Sequence, residues 1–509
     1  MKRIGISLVF FVALAAAVAQ TNATTRVLSL QDCFAEALQH NFDVRIERYA
    51  PEESLLNLNA AYAGYDPTLS LSATHSQNDA GGFLNSSVAT NFVPAFTGTN
   101  FTPYQTIATN NAGIAITRQN AFNSDLKGSL PWGMTYDLNG NVTDETTADR
   151  SGGAVGATVS QPLLQNFWID KTRLGIRAAK NTLKYSEQQL RLQLITTVTA
   201  VENAYYELVY ARENLKVQEQ ALNLAQTQLD QDRQRVQVGS LAPLDVQQDE
   251  AQVAQSRASL IAAQFTLASD ENTLKNLITD NYTQWHDVDI EPATTLEAVR
   301  QLFDLQDSWN KGLTARPDLV QARLTLEQMG IQLKYDRNQI FPQLDLTGSY
   351  GFNGAGHQSS DSFNQYAAAN RPFFSYGAQF SVPLANVGAR NAYKSDKAVE
   401  QQDLLKLKQL EQNVMVQIDD AVKQAQAAWE SAAATKQARI YAEAALDAEQ
   451  KKYAVGKSTT FTVLQLQNTL TADRAAEIRA LANYNEDLAN LAQQEGSTLD
   501  RRKIDVQAK

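Results

Sequence analysis

The sequence predicts a mainly α-helical chain with a membrane β-barrel portion, built twice from one unit of helix, strand, strand and long helical hairpin. Three observations predict it. The chain opens on an export segment, short strings of residues recur in order across its two halves, and each half carries alternating strands followed by a nearly unbroken helical stretch of 68 residues.

The export segment comes first. Lys2 and Arg3 precede an apolar run from Ile4 to Val18, and Ala17-Val18-Ala19 supplies the small residues that a signal peptidase reads. Residues 1–19 therefore read as a signal peptide that is removed. The run falls short of the ~20 residues that a membrane span needs, and no cysteine stands at the cleavage site to take a lipid. Loss of two positive charges takes the net charge from -11 to -13. So acidic a chain repels phosphate, which argues against nucleic acid as a partner. Beyond Gln20 no stretch approaches 18 uninterrupted apolar residues, so any membrane crossing must be made by strands.

The repeat sets the organisation. Ala37 to Val44 aligns with Gly312 to Leu319 at an offset of 275, and Asp66-Pro67-Thr68-Leu69 aligns with Phe341-Pro342-Gln343-Leu344 at the same offset. Ser160-Gln161-Pro162-Leu163 matches Ser381-Val382-Pro383-Leu384 at 221, and Val238-Gly239 matches Val455-Gly456 at 217. Four matches in order, with slowly drifting offsets, favour duplication over coincidence. The paired prolines lie 95 positions apart in the first copy and 41 in the second, so the first copy holds an insertion of 54 residues. The first repeat is thus read as 20–280, with strands and insertion at 66–162 and long helices at 171–238 and 243–280. A linker follows at 281–311, with Thr294 and Glu297 spaced as a capping box. The second repeat is 312–495, with strands at 342–384 and long helices at 388–455 and 459–495, and a tail occupies 496–509.

The long segments carry heptads. Val201, Leu208, Leu215, Leu222, Leu229 and Val236 recur every seven residues, and after the break at Gly239 to Pro243 the spacing resumes with Val246, Val253, Leu260, Leu267 and Leu274. The second copy keeps Val463, Leu470, Tyr484 and Leu491 in register, with Glu477 as the single departure. Alanines 421, 425, 428, 432 and 442 on its partner segment permit close helix approach. At 1.5 Å per residue such rods reach ~100 Å, too long for one globular core. A soluble coiled-coil scaffold fits these helices equally well.

The strands separate the two readings. Leu344, Leu346, Gly348, Tyr350 and Phe352 alternate with polar Gln343, Asp345, Thr347 and Ser349, and Phe374, Tyr376, Ala378, Phe380 and Val382 alternate likewise. In the first copy Leu69, Leu71 and Ala73, then Val155, Ala157 and Val159, do the same. Strands of about ten residues with one apolar face suit the wall of an outer-membrane barrel. Four strands cannot close one, because the smallest barrels have eight. Two chains give a filled eight-stranded barrel, whereas three give twelve strands and begin to leave a lumen. Within the insertion, 126–130 and 134–142 flank Pro131-Trp132-Gly133, which marks an extra hairpin. Whether that hairpin joins the wall is left open by the sequence.

Nothing points to catalysis. Cys33 lies in a helical pattern and reads as a small packed residue, and the four histidines are too scattered for a metal site. Gly456-Lys457-Ser458 imitates the end of a phosphate loop, but the leading glycine is replaced by Lys451. Gly351, Gly354 and Gly356 are misspaced for a dinucleotide fingerprint. No cofactor, metal or enzymatic activity is therefore expected.

Taken in order, Val236-Gln237-Val238-Gly239-Ser240, Tyr453-Ala454-Val455-Gly456-Lys457-Ser458, Arg316-Pro317-Asp318-Leu319, Gln161-Pro162-Leu163-Leu164 and the heptads after each glycine resemble the TolC-type outer-membrane efflux proteins, the outer membrane factor family. The resemblance covers nearly the whole mature chain. It implies a homotrimer whose 12-stranded barrel sits in outer membrane lipid and continues as a periplasmic α-helical tunnel. It implies a passive conduit, the outer component of a tripartite efflux or type I secretion system, and makes 281–311 part of an equatorial belt. Its partners would be a periplasmic adaptor and, through it, an inner-membrane pump. Adaptor docking is then expected at Val238, Gly239, Ser240, Leu241, Val455, Gly456, Lys457 and Ser458. Relatives form a gate from aspartates at the sixth and ninth positions after the second glycine; here those positions are Thr462 and Gln465. Asp245 matches an acidic latch position, while the latch arginine is replaced by Ser458, with Lys457 beside it. The alternative is a periplasmic coiled-coil adaptor or scaffold without a pore.

Overall fold

The computed structural model describes residues 24–80, 91–93, 96–97, 100–101, 104–106, 115–145 and 149–504. The expected signal peptide, part of the insertion and the end of the tail lie outside the described residues.

In chain order β1 (Thr24–Leu28) leads to α1 (Leu30–His40), α2 (Phe42–Glu47), α3 (Tyr49–Tyr62) and β2 (Thr68–Ala80). The insertion holds the short pairs β3 (Asn91–Val93) with β6 (Tyr104–Thr106) and β4 (Phe96–Thr97) with β5 (Asn100–Phe101), then β7 (Ala115–Ser129) and β8 (Thr135–Glu145). After β9 (Arg150–Pro162) come α4 (Lys171–Gln237), α5 (Pro243–Ile278), α6 (Tyr282–Trp285) and β10 (Val288–Pro292). The second copy runs α7 (Leu305–Ala315), α8 (Pro317–Gln339), β11 (Gln343–Gly356), α9 (Ser359–Ala368), β12 (Pro372–Ser381), α10 (Val387–Ala454) and α11 (Thr460–Glu495), with α12 (Thr498–Arg502) at its end.

The elements carry the duplication more regularly than the strings do. Helices α1 and α7 both span 11 residues at an offset of 275, and β2 and β11 start at that same offset. Helices α5 and α11 are both 36 residues long, at an offset of 217.

The chain divides into two compact units. One comprises the described parts of Met1–Glu52, Lys184–Arg323 and Leu405–Lys509. Its heptad positions form cores: Val201, Leu208, Val463, Tyr484 and Leu491 are at most 1% exposed. Glu477, the departure from the heptad, stays within the packing because Arg439 of α10 meets its carboxylate at 2.5 Å. Cys33 is fully buried, and burial pushes its thiol up to about 12. The capping box expected at Thr294 opens no helix: residues 294–304 lack regular structure. Thr294 instead bonds the Tyr205 hydroxyl at 2.6 Å, and the next helix starts at Leu305 under an Asp304 cap. The tyrosine takes the side chain that a cap would have needed. Strands β1 and β10 pair in parallel beside this contact.

The other unit, Glu53–Leu183 and Leu324–Leu404, holds the main sheet. Its order is β12-β11-β9-β8-β7-β2, antiparallel throughout. The sheet therefore has six strands, where alternation alone assigns four. The additional pair is the hairpin of the insertion, seated between β2 and β9. Register gives the sheet two faces. Ser375, Ser349, Thr158, Asp137, Lys127 and Thr68 are successive cross-strand partners from one edge to the other, so one row is polar throughout. The hairpin turn is fixed to the linker after β9. Gly133 adopts φ +91°, and a Cβ there would lie 2.7 Å from the Asn166 carbonyl oxygen. Arg173 donates to the Pro131 and Trp168 carbonyls at 3.1 and 3.3 Å and stacks over the Trp168 ring.

Candidate functional site at the helical tips

Both hairpins of long helices reverse at a glycine. Gly239 and Gly456 adopt φ +76° and +73°, left-handed values that L side chains resist. Ser240 N donates to Arg235 O at 2.9 Å and Lys457 N to Lys452 O at 2.9 Å, the same closing bond in both copies. This satisfies carbonyls that a helix end would otherwise leave open. Side chains reinforce the turns. The Ser240 hydroxyl donates to Arg235 O at 3.0 Å, and the Ser458 hydroxyl to Glu449 at 2.6 Å. Hydrogen bonds from Lys452 and Ser458 hold the Glu449 carboxyl below its ordinary range.

Of the expected docking residues, Val238 and Val455 project outward at 79% and 68% exposure, Lys457 is exposed, and Leu241 is half-buried. Ser240 and Ser458 spend their hydroxyls on the turns themselves. Sequence reading missed Leu244 and Phe461, each five residues after its glycine and 63% and 65% exposed. Both tips thus present a valine before the turn and a large apolar residue after it. The repeat offset of 217 links each pair and is the cue that could have found them.

The expected gate positions lie just beyond. Gln465 is exposed and Thr462 half-exposed, the latter bonded through its backbone N–H to Thr459, the cap of α11. Asp245 sits in the first turn of α5, where an acid complements the helix dipole. It forms no ion pair with Lys457 among the described residues. The two hairpins are tied together by other groups, all within the first unit. Asp232, fully buried, accepts from Gln228 at 2.8 Å and from the Tyr453 hydroxyl at 2.8 Å. Tyr453 also contacts the Thr460 hydroxyl at 2.8 Å, and Arg235 lies 3.4 Å from Asp232 and stacks over the Tyr453 ring. Asp249 of α5 is buried as well, and neither of its carboxyl oxygens has a hydrogen-bond partner. Burial, then the Asp232 carboxyl, then Asp245, push Asp249 up to about 7.

A family model described as outer membrane efflux protein matches residues 105–279 and 310–497, taking in most of both copies. The chain belongs to this family. Among relatives of the outer membrane efflux proteins, pyoverdine export outer membrane protein OpmQ of Pseudomonas aeruginosa is 24% identical over 354 residues, 66% of this chain and 69% of its own. Outer membrane protein TolC of Escherichia coli K12 is 25% identical over 382 residues, covering 73% and 74%. The solved CmeC outer membrane channel of Campylobacter jejuni shares the fold at a TM-score of 0.66 and 15% identity, covering 92% of this chain and 86% of that one. The efflux protein described here is thus an outer-membrane channel with a helical tunnel in the periplasm. No helix among the described residues is long and apolar enough to cross a membrane, and the main sheet presents an exposed apolar face. The pore-free scaffold reading has no support in the family match.

Proposed function

We propose that the protein is a homotrimeric, passive conduit of a tripartite exporter, and that a periplasmic adaptor docks on both tips and couples it to an inner-membrane pump. Efflux and type I secretion are both compatible with such a conduit. The observation that carries the reading is the duplicated tip: a glycine-reversed turn with Val238 and Leu244 exposed in one copy and Val455 and Phe461 in the other. Exposed apolar side chains at two equivalent positions suit a repeated contact with a helical partner. They would be a liability on a surface that touches only water. The channel performs no chemistry; it offers a path, and the partner supplies the energy.

The test leaves the turns intact. Val238→Asp with Val455→Asp should abolish photo-crosslinking of adaptor to a probe at Leu244 and lower export at least tenfold, while trimers still reach the outer membrane. Unchanged crosslinking and export would remove the docking role.

A further inference from the structure

We infer that three copies of this chain close an eighteen-stranded barrel, joined edge to edge through β12 of one copy and β2 of the next, rather than the twelve-stranded wall expected from four strands each. The inference rests on the trimeric-conduit reading above and concerns the wall of that conduit.

The first support is hydrogen bonding. Strands β2 and β12 are the two edges of the sheet, each paired on one side alone among the described residues. Unpaired backbone groups cannot face hydrocarbon, so within a membrane both edges must find partners. With six antiparallel strands, β2 and β12 run in opposite directions. The edge of one copy therefore meets the edge of the next in antiparallel sense. A second copy of the chain is the occupant that both edges fit at once.

The second support is the apolar face. Phe374, Tyr350, Ala157, Leu138, Leu126 and Leu69 are successive cross-strand partners, one from every strand. Two of these six belong to the inserted hairpin. Four of them are large and 46–74% exposed: Phe374, Tyr350, Leu138 and Leu69. The polar row described above likewise passes through the hairpin at Lys127 and Asp137. A hairpin that lay outside the wall, over it or in its lumen, would have no need to continue both rows in phase. Its two strands have 15 and 11 residues, comparable with the 13 of β2 and of β9.

The third is the turn. Arg173 and Gly133 fasten the hairpin to the linker that follows β9, on the side of the sheet where α4 begins. The hairpin is thereby anchored at the same level as the strands that enter and leave the helices. Strand spacing of about 4.8 Å and a tilt of about 40° give a backbone diameter of about 36 Å for eighteen strands, against about 24 Å for twelve.

The test is a strand count on the full chain. Trimers purified into lipid nanodiscs should show eighteen strands by electron cryo-microscopy. In parallel, Ser72→Cys with Asn123→Cys, register partners in β2 and β7, should form a disulfide within one chain. Ser70→Cys combined in turn with a cysteine at Ser375, Gly377 or Gln379 should give a covalent trimer, a shift to three times the monomer mass. The natural Cys33 is the single cysteine and is buried, so it does not interfere. A trimer with twelve strands, or a disulfide between Ser72→Cys of β2 and Thr158→Cys of β9, would overturn this inference and leave the conduit standing. A monodisperse monomer would overturn both.

Discussion

Asp232 and Asp249 occupy equivalent places in the two helices of the first hairpin, each three residues after a heptad position, at Leu229 and Val246. That companion position faces inward in a seven-residue repeat, so two carboxyls are delivered to one buried pocket. A proton held between them is the one hydrogen bond open to Asp249. The groups that face it are Asp232 with its partners Arg235 and Tyr453 from the neighbouring helices, and Asp245 on its own helix. Its folded pKa is raised, so its contribution to stability is fully present at acid pH and is lost as pH rises through about 7. Amide protection over the tips should therefore fall as pH rises from about 4 to about 7, read by hydrogen exchange, and Asp249→Asn should flatten that dependence. An equal fall in the variant would assign it to other groups. Further along, a gate lined by polar Thr462 and Gln465, in place of the aspartates that the family resemblance implies, should show little block by multivalent cations in single-channel recordings. Thr462→Asp with Gln465→Asp should create it. Block of the unmodified channel by micromolar trivalent cations would show that other carboxylates line the constriction. The tips were legible in the sequence because glycine and the repeat mark them. Asp232 and Asp249 were not, because an acid at an inward position reads as a solvated helix face until its neighbours are known.

Among the elements, the long helices and the outer four strands follow from periodicity and proline placement, and their bounds fall within a few residues of the expected ones. The hairpin of β7 and β8 was harder to read. On β7, Asn120, Ser124 and Gly128 share the face of Phe122 and Leu126, which blurs the alternation that those two would otherwise display. Its charges have partners on the polar face, where Lys127 lies 3.5 Å from Asp137 and 3.9 Å from Asp125. Pairing across strands is not available to a reader of one sequence. The anchoring of the turn suggests a direct check. Arg173→Ala should leave the helices unchanged and raise amide exchange at least tenfold in residues 126–138, since two backbone carbonyls and one indole ring lose their common contact. No change there would mean that Gly133 and the sheet alone hold the turn. The two hairpins of helices also differ. The heptad positions of α11 are closed within the chain, whereas Val246, Val253, Leu260 and Leu267 of α5 are half-buried and Ile261 and Phe265 exposed. Helix α10 of the second hairpin exposes Leu405, Val416, Ile440 and Tyr441 in turn, so both hairpins keep apolar surface for a neighbouring copy.

For the molecule as a whole, those open helix faces and the two sheet edges make the same demand for further copies. Extraction of the membrane fraction should require detergent and should release a trimer with no folded monomer, as measured by native mass; a stable monomer would contradict it. The hairpin of the insertion also says something about how such a chain can change. Every strand that leaves the helical side of the membrane must be followed by one that returns, or all of the chain beyond it emerges on the wrong side. One added strand would invert α4 and everything after it, while a returning pair leaves each helix where it was. Girth in this architecture can therefore grow in steps of two strands per copy without any adjustment to the machinery below, and a stretch of surface loop is raw material enough for such a step.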